Sequence, residues 1–501
     1  MERDLGRFTN KEYDLLVIGG GINGAGIAHL AQDHGLKVAL IEKGDFASGT
    51  SSKSTKLIHG GIRYLENFDF GLVIESLKER IIQLRAAPHL VKPLAFIIPV
   101  YKNDRRPLWM MKLGVFLYDR LAGKNSIGGH RRLSADMIAE LIPGIRREGL
   151  QGGILYHDAQ MDDARLCLEN ILSAREKGAD VINYVEALSF LKEGEKVTGV
   201  LAKDTLGGAT FEIRAKRSVC AAGPWTNQLL RKDCPDARKI IRTTKGAHIV
   251  YEGRLSEHAI LLPSDQDGRI FFAIPWMGHS LIGTTDTNYT KSPDSLRVSD
   301  KDIQYLRESI RRIFPAMDFS SKKIIANFAG LRALIRKGGS PSKVTRNHAI
   351  IKTKSGLTFV VGGKYTTYRK IAEDALWKVF KLKIKKPFRL YGSGRIDADK
   401  DDLARKYNVD PGMVIFLMDK YGARYQEVLD LIAKDKSLSK KICGCSPTIA
   451  AQLVYSIQNE MAVTPEDIIQ RRLSIQFLPC GTKECHDRVI RFTQDRERHL
   501  S

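Results

Sequence analysis

"YDLLVIGGGINGAGIAHLAQDHGLKVALIEKG", residues 13–44, decides the fold. Tyr13 to Ile18 is a short, unbroken apolar run, the pattern of a parallel strand buried on both faces. Ile27 to His34 reads as a helix that Gly35 ends. Lys37 to Ile41 reads as a second strand, which stops at Glu42. This is a βαβ unit, and its first turn holds G-x-G-x-x-G as Gly19, Gly21 and Gly24. Gly19 allows a tight turn, Gly21 lets backbone approach a pyrophosphate, and Gly24 lets helix and strand pack closely. Ile22 and Asn23 follow at the helix start, where free N–H groups and the positive dipole end suit phosphates. Glu42 lies 18 residues past Gly24, placed to accept hydrogen bonds from a ribose. The unit predicts a dinucleotide site.

Working outward, "KGDFASGTSSKSTKLIHGGIRYL" (43–65) is dense in small and hydroxyl residues. Such a path suits close passage of a second nucleotide half, as in flavoproteins. A nicotinamide dehydrogenase would normally return directly to another βα unit. The expected cofactor is therefore FAD, with a polar surface loop as the plain alternative.

The 501 residues are enough for several domains, and 43% hydrophobic with 27% charged residues fits a globular chain. Eighty Lys and Arg against 57 Asp and Glu leave a net charge of +23, which calls for an anionic partner or reflects a basic drift. The seven cysteines are scattered and odd in number, so a disulfide scaffold is not expected. Cys443-Gly444-Cys445 and Cys480 to Cys485, beside His486, invite a zinc reading. Their spacing matches no standard structural site, so the expectation is free thiols and no metal. The N-terminal MERDLGRFTNKEY has no apolar core, so no signal peptide is expected. No apolar run is long enough to span a membrane, so membrane contact should be peripheral.

Further along, Ser76 to Arg85 reads as a helix, and residues 105–124 as an apolar, Met-rich helix with basic ends. Residues 162–193 read as helix then strand, 197–225 as a hairpin and strand into glycine, and 269–289 as β-rich. Asp300 to Phe314 is helical. After about residue 385 helical patterns dominate.

"GGGINGAGIA", "GTSSKSTKLIHGGIRYLE", "YHDAQMDDARL", "AAGPWTNQL", "KGAHIV", "IPWMGHSLIGTTD" and "VVGGKYTTYRKIAEDAL" occur in this order. Together they resemble the FAD-dependent glycerol-3-phosphate dehydrogenase family, the respiratory enzymes that pass electrons to quinone. The resemblance covers roughly residues 12–385 and continues more loosely through "DIIQRR" (467–472). It implies an α/β fold: a glutathione-reductase-like, Rossmann-type FAD-binding domain interleaved with an antiparallel-sheet substrate domain, plus a C-terminal helical domain. The expected boundaries are 12–85, 150–225 and 330–385 for FAD binding, 86–149 and 226–329 for substrate, and 386–501 for the helical domain.

The implied reaction is oxidation of sn-glycerol 3-phosphate to dihydroxyacetone phosphate by hydride transfer to flavin, while a base takes the hydroxyl proton. The resemblance assigns Arg63 and Tyr64, in "HGGIRYLE", to the substrate site, where the Arg fork suits phosphate. It places His248, in "TTKGAHIVY", near the substrate hydroxyl as candidate base. Taken alone, a histidine at the start of a strand is usually structural. Arg332, in "FAGLRALIRKGG", binds phosphate or steadies an alkoxide. The family usually has proline after this Arg, and here Ala333 follows. Arg346 is a second phosphate candidate.

Lys364 is expected near flavin or substrate, with Thr366 and Thr367 capping the following helix. Cofactor contacts are expected from Gly19, Gly21, Ile22, Asn23, Gly24, Glu42, Lys43, Thr50, Ser51, Ser52, Leu57, His59 and Gly60. They continue at Val185 or Glu186, Ala222, Gly223, Trp225, Lys364 and Thr366. Asp286, in "GTTD", would contact this region or fix the local turn.

For electrons, the family offers quinone-linked dehydrogenases and oxidases that reduce oxygen to hydrogen peroxide. The helix around Trp109, Met110, Phe116 and Leu117, with Arg105, Arg106, Lys112, Arg120 and Lys124, could lie on anionic lipid or simply cover a sheet. The expected partners are glycerol 3-phosphate, quinone and the cytoplasmic membrane surface, with a homodimer compatible and no nucleic acid. The expected location is cytoplasmic, on the inner membrane. An amine or amino-acid oxidase of the same superfamily would need a carboxylate clamp instead. A nucleic-acid-binding protein would need a recognisable module, and none is evident.

Overall fold

The computed structural model describes residues 3–264, 267–336, 348–442, 444–479 and 484–500. Arg346, Cys443 and Cys480 lie outside the described residues.

The opening apolar run forms the strand Glu12–Ile18, in which Tyr13, Leu15, Leu16 and Val17 are fully buried. Parallel partners flank it on both sides, Val38–Ile41 and Thr210–Cys220. Asp180–Ile182 and Thr358–Gly362 extend the sheet in parallel, and His348–Lys352 closes one edge antiparallel. The hairpin Val185–Glu193 and Lys196–Asp204 joins along Thr210–Cys220. The helix Ile22–Asp33 begins at Ile22 rather than Ile27, because its glycines are held by packing. A Cβ at Gly26 would stand 2.8 Å from the Tyr368 ring, so the helix Tyr368–Phe380 lies directly against it.

A second sheet runs through Ile241–Tyr251, His279–Gly283, Ile270–Trp276, Ala259–Pro263, Val91–Tyr101 and Leu150–Met161. Its ladders are antiparallel except where Ala259–Pro263 meets Val91–Tyr101. Ile324–Ile335 pairs along Ile241–Tyr251. Three of the expected segments differ. Leu150–Met161 and Leu57–Ile58 belong to this second sheet, not the cofactor sheet, because Leu150–Met161 pairs along the whole of Val91–Tyr101. On the sheets, the return to the cofactor side therefore comes after Met161. Ile324–Ile335 also stays with the second sheet past position 330, because its register with Ile241–Tyr251 runs on to Ile335.

The helix Leu108–Ala122 buries Val115, Tyr118 and Ala122, while Trp109 (66%), Leu113 (58%) and Phe116 (50%) stay exposed. Among the described residues no helix is long and apolar enough to cross a membrane.

The C-terminal part is helical, with Lys400–Tyr407, Pro411–Tyr421, Tyr425–Lys434 and Ala450–Glu460 around one apolar cluster. Buried ion pairs tie it to the cofactor domain. Arg472 grips Asp45 with both nitrogens, at 2.7 and 2.8 Å, and Arg471 Nε adds a third contact. Arg165 reaches Glu460 at 2.7 Å, and Arg424 pairs with Glu169. Asp45 follows Glu42 by one turn of loop, so the "DIIQRR" segment braces the chain just beyond the glycine fingerprint.

Candidate active site

A cavity of about 400 Å³ opens between the two sheets, walled by Gly19, Gly21, Glu42, Thr50, Ala222 and Lys364 among others. At one end the fingerprint turn leaves a bare backbone cradle. Gly19 has φ +117°, and a Cβ there would stand 2.6 Å from the Ala221 carbonyl oxygen. A Cβ at Gly24 would stand 1.9 Å from Gly19 O, so this residue is spent on packing and does not line the cavity. The helix cap Gly21 brings no side chain to the helix start, where Ile22 N donates to Ser51 Oγ at 2.9 Å. Helix N–H groups, small residues and hydroxyls meet here, the donor set a pyrophosphate needs.

Glu42 accepts from Gly20 N at 2.7 Å and Gly44 N at 2.9 Å, which fixes it at the edge where a ribose would sit. Burial pushes its carboxyl pKa up. Val185 and Glu186 both line this end, with Ala222, Gly223 and Trp225 across from them. Lys43 reaches Asp294 at 2.7 Å and lies over the Trp225 ring, whose Nε1 donates to the same Asp294 at 2.9 Å. Asn23, Leu57 and His59 also stand on the wall. Ser52 does not; its carbonyl accepts from buried Lys56 at 2.9 Å. Gly60 lies behind the wall, where a Cβ would meet the Tyr118 hydroxyl at 2.3 Å.

The hydroxyl-rich path leads to the second sheet. Thr50 Oγ1 donates to Leu331 O at 2.6 Å, and a Cβ at Gly330 would stand 2.5 Å from Lys53 O. There Ile241–Tyr251 and Ile324–Ile335 pair so that Thr244 faces Arg332, Gly246 faces Gly330, and His248 faces Phe328. Strand alternation puts all six on one face of the ladder. The two glycines leave a flat floor, and Arg332 lies across it: a Cβ at Gly246 would stand 2.6 Å from its guanidinium.

His248 is 2% exposed and stacks on the Phe328 ring. Its Nε2 meets Thr55 Oγ1 at 3.0 Å, and its buried Nδ1 has no hydrogen-bond partner among the described residues. Burial lowers its pKa well below 6.5, and the charges of Arg332 and Lys56 push the same way. Arg332 is aimed by Thr284 Oγ1 at 3.0 Å and Asp286 at 3.1 Å. Asp286 is therefore not on the cavity wall. It holds Arg332, because its carboxylate turns to the nearest guanidinium. Arg63 and Tyr64 line the cavity with His248 and Arg332.

Lys364 is 7% exposed, and its ammonium is met by His59 O at 3.0 Å, Gly60 O at 3.3 Å and Ser76 Oγ at 3.0 Å, over the Tyr64 ring. An ammonium has three donors, so this cation acts here through its charge. The two threonines do not cap the helix with their side chains. Thr366 Oγ1 accepts from His59 N at 3.1 Å, and Thr367 Oγ1 donates to Lys364 O at 3.3 Å, because both are drawn into the turn.

Three contributors escaped the sequence reading: Thr55 at His248, Phe328 under it, and Thr284 at Arg332. Thr55 sits within the hydroxyl-rich tract, and Phe328 stands two strand steps before Arg332. Alternation along that strand was the available signal.

The cradle, the Glu42 edge and the hydroxyl path define an FAD-dependent oxidoreductase, and residues 14–369 match the FAD dependent oxidoreductase family. Residues 386–497 match the C-terminal domain of alpha-glycerophosphate oxidase. The chain is 37% identical over 487 residues to the aerobic glycerol-3-phosphate dehydrogenase of Staphylococcus aureus (strain USA300), covering 92% of this chain and 87% of that protein. It superposes on the glycerol-3-phosphate dehydrogenase from Bacillus halodurans complexed with FAD at TM-score 0.79 and 32% identity, covering 99% and 96% of the two chains. L-alpha-glycerophosphate oxidase from Mycoplasma pneumoniae shares the fold, at TM-score 0.59 and 18% identity over 75% of this chain and 97% of that one. The chain belongs to the FAD-dependent glycerol-3-phosphate dehydrogenase/oxidase family, and FAD is its cofactor.

Proposed function

We propose that this chain oxidises sn-glycerol 3-phosphate to dihydroxyacetone phosphate and that its electrons pass to a membrane quinone. The observation that carries the reading is the pairing of neutral His248 with Arg332 over the Gly246–Gly330 floor, at the wall of the FAD cavity. FAD, when bound, supplies the hydride acceptor. His248 takes the hydroxyl proton at Nε2, the nitrogen that Thr55 holds. Arg332, aimed by Asp286 and Thr284, and Arg63 carry positive charge to the substrate phosphate. Tyr64 closes the wall, and Lys364 adds positive charge behind it where substrate and flavin ring meet.

The enzyme acts at the cytoplasmic face of the inner membrane, bound peripherally. Exposed Trp109, Leu113 and Phe116 beside Arg105, Arg106, Lys112 and Arg120, together with the +23 charge, favour that placement. Sedimentation with anionic vesicles tests it: the wild type pellets with them, and a Trp109→Ala/Phe116→Ala pair does not. Equal pelleting of both would remove this helix from the account.

A second reading replaces quinone by oxygen. The match of residues 386–497 to the C-terminal domain of an oxidase favours it. Steady-state turnover separates the two. Quinone-analogue reduction that far outpaces hydrogen peroxide release supports the dehydrogenase, and the reverse supports the oxidase.

A further inference from the structure

Asp163, in "YHDAQMDDARL", is fully buried and does not line the FAD cavity. It opens the helix Asp163–Glu176 and reaches into the hydroxyl-rich loop. Its Oδ2 accepts from Ser54 N at 3.0 Å and from Ser54 Oγ at 2.7 Å, and its Oδ1 pairs with the Lys56 ammonium. Both chain neighbours of Thr55 are thereby pinned to one carboxylate. Thr55 is the residue whose hydroxyl meets His248 Nε2 at 3.0 Å.

Lys56 is 2% exposed and stands behind the cavity wall that Ser54 and Thr55 help to form. Its ammonium also donates to Ser52 O at 2.9 Å, and its backbone N donates to Ser54 Oγ at 3.0 Å. The rings of Trp276, Phe328 and Phe477 surround the ammonium, with centroids 5.6, 5.5 and 5.4 Å away. Phe328 is the ring under His248. The backbone at Lys56 has φ +60°, a region that glycine or asparagine fills more easily. The contacts of the side chain, not the needs of the turn, therefore account for a lysine here. A buried ion pair adds little net stability over apolar residues of the same size. What this pair adds is placement.

We propose that Lys56 and Asp163 are positioning residues for the base: together they fix Thr55, and through it the place of His248 Nε2 on the cavity wall. The inference rests on the reading of His248 as the base. The Phe328 stack restrains the tilt of the imidazole but leaves it free to slide in its own plane. The Thr55 hydroxyl stops that slide. Lys56 supports both restraints, because it is bonded to the loop of Thr55 and packed on Phe328. Phe477, whose ring stands 5.6 Å from Phe328, brings the C-terminal domain into the same contact.

The test is rapid-mixing measurement of flavin reduction by glycerol 3-phosphate in the FAD-loaded full-length protein, without oxygen and on the pH plateau of the rate. Thr55→Val should slow the limiting rate roughly 10–100-fold, the effect of a misplaced reacting group. Flavin content should be unchanged, and the half-saturating substrate concentration should stay within about twofold. Thr55→Ser should recover most of the rate. Lys56→Met/Asp163→Asn removes both charges and should slow the rate by a similar factor. Adding Thr55→Val to it should cost nothing further, because residues that act through one contact are not additive. Ser54→Ala keeps the buried pair and cuts its link to the loop, so it decides the matter if the charge-free pair does not fold. It should slow flavin reduction and likewise not add to Thr55→Val. His248→Asn is measured beside them. If His248→Asn loses the rate while the folded Lys56/Asp163 variant, or in its place Ser54→Ala, keeps it, the positioning role is overturned and the base stands. If His248→Asn keeps the rate, both are overturned. Loss of bound flavin, or a loss of rate that adds fully to that of Thr55→Val, would also overturn the proposal.

Discussion

His248 and Phe328 face each other across paired strands, with ring centroids 4.9 Å apart and planes inclined by 14°. The stack holds the imidazole on one face, and Gly283 makes room at its edge, where a Cβ would stand 2.2 Å from Cδ2. A base so held loses little entropy in the transition state, and buried beside Arg332 and Lys56 it stays neutral.

His248→Asn keeps the shape and removes the basic nitrogen. Turnover should fall roughly 10²–10⁴-fold with FAD content unchanged. The sign of the pKa shift adds a second expectation. A folded-state pKa below 6.5 keeps the base form to lower pH, so the acid limb of wild-type kcat/KM should lie below pH 6.5. An acid limb above that value, or near-wild-type turnover in the variant, would show that another group takes the proton.

Arg332→Ala should cut kcat/KM for glycerol 3-phosphate by roughly 30–100-fold, the worth of a charge-assisted pair, and leave FAD bound. Arg332→Lys should recover little, because one ammonium cannot reproduce the fork that Thr284 and Asp286 aim. Loss of FAD in either variant would mean that Arg332 serves the cofactor.

Gly24→Ala should strip FAD. In an ordinary helix this change is favourable by about 1 kcal/mol. Here the new Cβ would stand 1.9 Å from Gly19 O and force the phosphate turn open. Absorbance of the purified variant in the flavin band reads the result, and full flavin content would refute the packing argument.

Asp45 links pH to the join between the domains. Burial works to raise its carboxyl, but the guanidiniums of Arg472 and Arg471 outweigh it and hold it at about 2, below the ordinary 3.8. A depressed pKa contributes stability above the unfolded value and loses it as pH falls toward the folded one. The difference is worth roughly 2 kcal/mol. The melting temperature should therefore drop between about pH 4 and pH 2, and Asp45→Asn should lower it at neutral pH and flatten that acid dependence. An unchanged acid profile in Asp45→Asn would contradict this.

Much of the cofactor half was legible because its signals are local. A buried strand, three glycines and an acid at the next strand's end are read within one βαβ unit. The second sheet was less legible. Leu150–Met161 buries residues 152–156 in an unbroken run rather than in alternation, and nothing local to it says that it pairs with Val91–Tyr101, since register is set by partners distant in sequence. The resemblance brought His248 and Arg332 into one site. It did not show that Thr55 holds His248 or that Asp286 is spent on Arg332, because these are contacts between side chains from separate elements. Lys364 carried the right charge at the right place, but its donors are taken up by His59, Gly60 and Ser76.

The central claim is that this FAD site oxidises glycerol 3-phosphate. Anaerobic titration of the FAD-loaded protein with sn-glycerol 3-phosphate, followed in the flavin absorption band, tests it most directly. The band should bleach with one equivalent of dihydroxyacetone phosphate formed per flavin, and glycerol without phosphate should leave it unchanged. A band that persists with the phosphate ester, or bleaches equally with glycerol, would contradict the account.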